Sequence, residues 1–222
     1  MERHFDEELT HLKQRLLYMA DTAQEMVGLA VRALTDRNPA CAREVLELEK
    51  KVNHAEIEIE DEALKLLALR QPAAKDLRLL TAILKINNDL ERVADQAVNI
   101  AEISDFLLKE PLLKPLIDIP KMAGLAQRMI KNSLDAFVRH DAALAQQVCE
   151  DDDAVDRIND QIFRELLTYM MEDPKSITRA VDLILVSRNL ERIADHATNI
   201  SEDVIFIEEG KNIKHHIQEE NK

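Results

Sequence analysis

The chain has 222 residues, and its 43 acidic side chains outnumber its 29 basic ones, which gives a formal net charge of −14. A surface this acidic repels phosphate backbones, so we expect no nucleic-acid partner. Two cysteines without a CxxC spacing exclude a disulfide framework and favour a reducing cytoplasm. No uncharged run approaches the ~18 apolar residues of a membrane span, and the first residues do not form a signal peptide. We therefore expect a cytoplasmic protein without direct membrane insertion.

Composition and spacing predict an all-α protein. Hydrophobic residues make up 46% of the chain and only three residues are glycine, which favours helix over sheet. Pro39, Pro72 and Pro174 each stand where a new helical pattern opens, and Asn38 and Asp173 precede two of them as predicted N-caps. The six predicted helices span residues 5–36, 39–70, 73–108, 119–139, 142–172 and 174–208.

The end of the third predicted helix is repeated in the sixth. Segment 90–102 reads LERVADQAVNIAE and segment 190–202 reads LERIADHATNISE, so that nine of 13 positions match at an offset of 100. A fixed offset of this kind is the mark of a duplicated unit, and chance similarity between amphipathic helices explains it poorly. We predict two pseudo-symmetric three-helix bundles, residues 1–110 and 117–209, joined by a proline-rich linker and followed by a polar tail at 210–222.

Each repeated helix carries a stripe of oxygen-bearing side chains. At ~100° per residue the stripe lies opposite the apolar side formed by Leu90 and Val93 in one copy and by Leu190 and Ile193 in the other. The stripe members proposed as metal ligands are Glu91, Asp95 and Asn99 on the third helix and Glu191, Asp195 and Asn199 on the sixth. The second and fifth helices add Glu49, Glu56, Asp152 and Asp156, with Asn53 and Asn159 as neutral members.

Carboxylates at i and i+4 lie one turn apart and repel each other as bare neighbours. A hard cation reverses the sign of that interaction, and carboxylate and amide oxygens suit Mg²⁺, Ca²⁺, Mn²⁺ or iron. The alternative is a solvated helix face, with Arg92 and Arg192 as nearby counter-charges. The Glu-x-x-His pair of di-iron bundles occurs only at Glu8–His11, away from the stripes, and no catalytic motif is present. We therefore expect no enzyme.

The chain resembles the PhoU family of phosphate-signalling regulators. The resemblance rests on the doubled Glu-Arg-(Val/Ile)-Ala-Asp, on the segment from Gln71 to Arg78, and on LTYMMED at 167–173. It implies two three-helix bundles in a cytoplasmic negative regulator of the phosphate-starvation response, often a homodimer. The implied partners are the ATPase subunit of the phosphate ABC transporter and a membrane sensor histidine kinase. It also implies metal ions, iron foremost with Mg, Mn, Ca or Zn as alternatives, at Glu91–Asp95 and Glu191–Asp195.

Two further hypotheses stay open. A metal-binding or metal-storage helical protein would use the same acidic stripes without any partner. A carboxylate-bridged oxidase would also need iron there, although the stripes lack Glu-x-x-His. Metal content and partner binding separate the regulator from the storage protein.

Overall fold

Six α-helices account for most of the chain in the computed structural model, which describes residues 2–70, 72 and 74–210. The helices are α1 (Glu2–Thr35), α2 (Pro39–Arg70), α3 (Ala74–Leu107), α4 (Asp118–Arg139), α5 (Ala142–Glu172) and α6 (Ile177–Glu209). Within the described residues no strand occurs, so the predicted all-α fold is confirmed. Residue 73, where the third helix was predicted to begin, and residues 211–222 of the predicted tail lie outside the described part.

The two N-caps that the sequence predicts are present at the starts of helical segments. The Asn38 carboxamide oxygen accepts the Ala40 amide proton at 3.0 Å, and Asp173 accepts that of Lys175 at 3.0 Å. The predicted start of the last helix at Pro174 is wrong by three residues, because a 3₁₀ turn at Pro174–Ser176 precedes α6. Gly210 ends α6 in the left-handed region, with φ at 69°, where glycine carries no steric cost.

The helices form two bundles around one continuous core. Helices α1, α2 and α3 pack together, as do α4, α5 and α6, and the bundles meet where α3 packs on α6 and α1 on α4. The apolar side predicted for the repeated segment is confirmed, since Leu90, Val93, Leu190 and Ile193 are fully buried. The carboxylates of the stripes, Glu91 and Asp95 on α3 and Glu191 and Asp195 on α6, lie on the less buried sides of their helices.

In the part of the chain that the structure describes, no helix combines the length and apolar character that a span requires.

Replacing Leu190 by Ala should lower the free energy of unfolding by about 2–5 kcal/mol, because a fully buried leucine leaves a cavity. Leu185→Ala on the same helix is the matched control. Its side chain is 42% exposed, so the expected loss is under about 1 kcal/mol. Urea denaturation of both variants makes the measurement. Equal losses would contradict the assignment of these two helix faces.

Candidate metal-binding faces and the seam between repeats

The second repeat brings its predicted carboxylates together across α5 and α6. The negative charges of Asp156, Asp195 and Glu191 all raise the pKa of Asp152, which places these groups within electrostatic reach of one another. Asn159 hydrogen-bonds Glu191 and accepts the Ser187 hydroxyl at 2.8 Å. We call Asp152, Asp156, Asn159, Glu191 and Asp195 the α5–α6 acidic cluster. Its members were all predicted from spacing.

Asp152 is the most perturbed member of this cluster. Burial, followed by the charges of Asp156 and Asp195, raises its pKa from 3.8 to about 6. One of its carboxylate oxygens, Oδ1, is buried and has no hydrogen-bond partner. Burial also raises the pKa of Glu191 and of Asp195, although Arg188 and Arg192 at the edge of the cluster oppose the shifts. The cluster therefore holds more negative charge than its neighbours compensate.

The first repeat forms a weaker version of this cluster between α2 and α3. Burial raises the pKa of Glu91, and the charges of Asp95 and Glu56 raise it further. Arg92 already pairs with both carboxylates of α3, at 3.4 Å from Glu91 and 3.1 Å from Asp95. Glu49 lies about two turns before Glu56 on the same helix. Part of the charge on this face is thus balanced by the two ion pairs that Arg92 forms.

The two amides predicted as ligands make hydrogen bonds across the seam between the repeats, where α3 packs on α6. Asn99 donates to Asn189 Oδ1 at 3.4 Å, and Asn199 donates to Asp89 Oδ1 at 3.3 Å. These contacts are related by the offset of 100, as expected for a pseudo-twofold. Metal ligation by Asn99 and Asn199 stays a prediction. It would require the oxygen of each amide to bind a metal ion together with the carboxylates of its own repeat.

One end of the seam is charged and the other is neutral. His196 contacts Asp89 through Nδ1 at 2.8 Å, and Lys85 pairs with the buried Asp203 at 3.0 Å. The positions related by the repeat hold neutral residues, namely Gln96, Asn189, Leu185 and Ile103. Sequence reasoning missed Asp89, Lys85 and Asp203. Comparing the repeats position by position, with attention to where charge is lost, would have pointed to them.

The donor chemistry of the α5–α6 acidic cluster fits a hard cation. It offers carboxylate oxygens and an amide oxygen, and a cation would pair the buried Asp152 Oδ1 and relieve the mutual repulsion that raises the pKa of Asp152. Among the described residues no group of three His, Cys, Asp or Glu side chains already converges on one point, so ligation requires side-chain rotation. The cluster therefore fits a cation by the type of its donor atoms and by its negative charge, while its side chains are not yet arranged around one point.

Over the ranges that the structure describes, Cys149 and the Glu8–His11 pair are the other candidate reactive groups, and they do not form a second centre. Burial and the charges of Glu202 and Asp152 raise the pKa of Cys149 to about 11, so its thiol stays protonated at neutral pH. The isolated Glu-x-x-His pair is divided between different partners, since Glu8 binds Arg70 and His11 contacts Glu62.

Asp152→Asn should stabilise the protein at pH 7.5 by roughly 1–2 kcal/mol after allowance for solvent screening. The folded-state pKa of Asp152 lies above its ordinary value, so the penalty for its charge is absent below about pH 4 and complete above about pH 6. The two proteins should thus be equally stable at pH 4. Urea unfolding at both pH values in a chelating buffer, with the exposed Asp21→Asn as control, tests this. A gain that does not depend on pH would contradict the charge explanation.

Known proteins resemble this chain over almost its full length. The family model described as PhoU domain matches residues 16–104 and 119–204, once in each repeat. Two relatives carry the name phosphate-specific transport system accessory protein PhoU homolog. The Aquifex aeolicus relative is 42% identical over 96% of both chains. The Pseudomonas aeruginosa relative is 40% identical over 96% of this chain and 88% of its own.

Solved structures give the same answer. The crystal structure of PhoU from Pseudomonas aeruginosa superposes with a TM-score of 0.91 at 40% identity, covering 93% of this chain and all of that one. The phosphate transport system regulatory protein PhoU from Streptococcus pneumoniae superposes with a TM-score of 0.87 at 28% identity, covering 94% and 98%. With both repeats matched by the family model and relatives at this identity, the chain belongs to the PhoU family.

Proposed function

We propose that this protein is a non-enzymatic accessory protein of a phosphate-specific transport system, and a negative regulator of phosphate uptake and of the phosphate-starvation response. The observation that carries the proposal is the 40% identity over 96% of the chain to a relative named as such an accessory protein. The described residues agree with this role, since burial and nearby carboxylates raise the pKa of Cys149 to about 11 and so disfavour its nucleophilic thiolate form at neutral pH.

The proposed partners are the transporter's ATPase subunit and a membrane sensor histidine kinase, both met from the cytoplasm. Transmitting the state of one to the other requires two separate contact surfaces on one body. The two repeats supply similar acidic faces, and a net charge of −14 favours partners that present basic patches. A homodimer is proposed as the working state.

Metal ions form the second part of the proposal. Asp152, Asp156, Glu191 and Asp195 would hold a cation between α5 and α6, and Glu56, Glu91 and Asp95 would hold one between α2 and α3. The cation would supply positive charge that ties two helices together at the surface. Iron is the first candidate, and storage of that iron is the alternative function.

Deleting the gene should leave phosphate-starvation genes expressed in phosphate-rich medium, because the proposed repressing link is lost. A reporter fused to a starvation promoter measures this, and a plasmid copy of the wild-type gene should restore repression. A plasmid copy with the exposed Asp21→Asn change should restore repression as well as the wild-type gene does, because Asp21 belongs to neither acidic stripe. Continued repression in the deletion strain would refute the regulatory role.

The double variant Glu191→Gln, Asp195→Asn should lose the metal held between α5 and α6, about half of the total when both proposed sites are filled, by elemental analysis of the purified protein. Asp21→Asn, Glu25→Gln is the matched control, because this exposed pair has the same i, i+4 spacing on α1 but belongs to neither predicted stripe. Equal metal content in both variants would exclude the α5–α6 acidic cluster. Stoichiometric, redox-active iron that cells can mobilise would favour the storage function.

A further inference from the structure

An exposed apolar surface continues the α5–α6 acidic cluster along the same two helices. Phe163 and Leu167 on α5 are 50% and 45% exposed, and Ile177 and Val181 on α6 are 46% and 41% exposed. The partly buried Met170 and Ile184, which pack against the core, each lie seven residues from Phe163 and Ile177 and so belong to the same faces of their helices. We call Phe163, Leu167, Ile177 and Val181 the α5–α6 apolar groove.

The register of the two helices shows that the groove and the cluster share one face. Hydrogen bonds join Ser187 to Asn159 and Ser176 to the Tyr169 carbonyl, so α5 and α6 run antiparallel side by side. At ~100° per residue, Phe163 falls within about 20° of Asp152, and Ile177 falls within about 40° of Glu191. The acidic cluster lies at one end of this face and the apolar groove at the other.

The first repeat lacks an equivalent surface. The positions that correspond to Phe163 and Val181 are Glu60 and Thr81, while Leu64 and Leu77 correspond to Leu167 and Ile177. Both leucines are exposed, at 49% and 44%, so the first repeat keeps two of the four exposed apolar positions and has polar side chains, Glu60 and Thr81, at the other two. A continuous exposed apolar stripe marks an interaction site more strongly than scattered residues do.

We propose that the α5–α6 apolar groove, with the acidic cluster at its end, is the docking site for a basic amphipathic helix of a partner protein. The partner helix lies along the groove between α5 and α6, with apolar residues every three to four positions against Phe163 and Val181. Lysine or arginine residues over its last turns meet the carboxylates of the cluster in the metal-free protein, so this helix and the proposed cation compete for the same charges. From Asp152 to Met170 the face is about 27 Å long, which matches a helix of ~18 residues.

Charge distinguishes this occupant from the others that an apolar surface could accept. A second copy of the chain would present the same groove and the same carboxylates, so that a contact between two copies would bring eight acidic side chains to one face, four from each copy. An anionic membrane surface would be repelled by the cluster. A basic amphipathic helix would pack its apolar residues on the groove and pair its positive charges with the acidic cluster.

The first test uses a labelled 18-residue peptide with leucines at i, i+4, i+7 and i+11 and lysines in its last two turns. In chelating buffer the wild-type protein should bind it, and Phe163→Ser, Val181→Ser should weaken binding by ~10-fold or more, because two groove contacts are lost. The matched control is Leu64→Ser, Leu77→Ser, which alters equally exposed residues in the first repeat and should bind unchanged. Thermal unfolding by circular dichroism verifies that both variants are folded. Replacing the lysines by glutamates should abolish binding.

No binding by the wild type, or equal losses in both variants, would overturn the proposal. Sedimentation across a range of concentrations adds a further readout. A dimer that dissociates only in Phe163→Ser, Val181→Ser would assign the groove to a second copy and also overturn it.

The identity of the partner rests on the proposed function, and a second experiment keeps the two apart. Tagged wild-type protein should co-purify with the phosphate transporter from phosphate-replete membranes, and Phe163→Ser, Val181→Ser should not, while the first-repeat control should. Failure of the wild type to co-purify would count against the transport role, and the peptide measurement would still decide on the groove. Co-purification of all three proteins would place the transporter contact elsewhere and remove it as the partner.

Discussion

The packing of α3 on α6 determines which side of each of these two helices is left for acidic side chains. Each of these helices is buried in its own bundle and also forms the seam between the bundles, so Leu90, Leu190 and Ile193 are sealed from water. A helix that packs on two sides has one side left for charge. Because the two helices are related by the repeat, the remaining sides carry Glu91 and Glu191 at equivalent places, next to the stripes of α2 and α5.

This arrangement accounts for what could be read from the sequence and what could not. The helices and the acidic stripes follow from spacing within one element, and periodicity of 3.6 records that spacing directly. The seam depends on pairs about 100 residues apart, such as Asp89 with His196. A helical wheel assigns each residue to one side of one helix, whereas α3 has two packed sides. The helical wheel therefore placed Asn99 on the same side as Asp95, whereas in the structure the Asn99 amide donates to Asn189 across the seam between α3 and α6.

The core holds acidic side chains closer together than their charges favour. Burial of Ile158 and Val186 is cooperative with that of their neighbours, so the apolar sides fix the distance between α5 and α6. Asp152 belongs to α5 and Asp195 to α6, so their backbones cannot move apart to reduce the repulsion between the two carboxylates. The cost appears as the raised pKa of Asp152 and as its unpaired buried oxygen. A region that carries such a local cost in the free protein gains most from a positively charged ligand, whether a metal ion or a basic side chain.

The two repeats have the same fold but different surfaces, and this difference bears on how one small body could contact two partners. In the first repeat Arg92 pairs with Glu91 and Asp95 and balances part of the acidic face, and Glu60 interrupts the apolar stripe. In the second repeat Phe163 completes that stripe beside a cluster whose charge is left over. A perfectly symmetric protein would offer each partner two equivalent sites and could not hold both in a defined order. Divergence on the outer faces, with the packed sides kept alike, gives two distinct surfaces on one continuous core, as the proposed link between a transporter and a sensor would require.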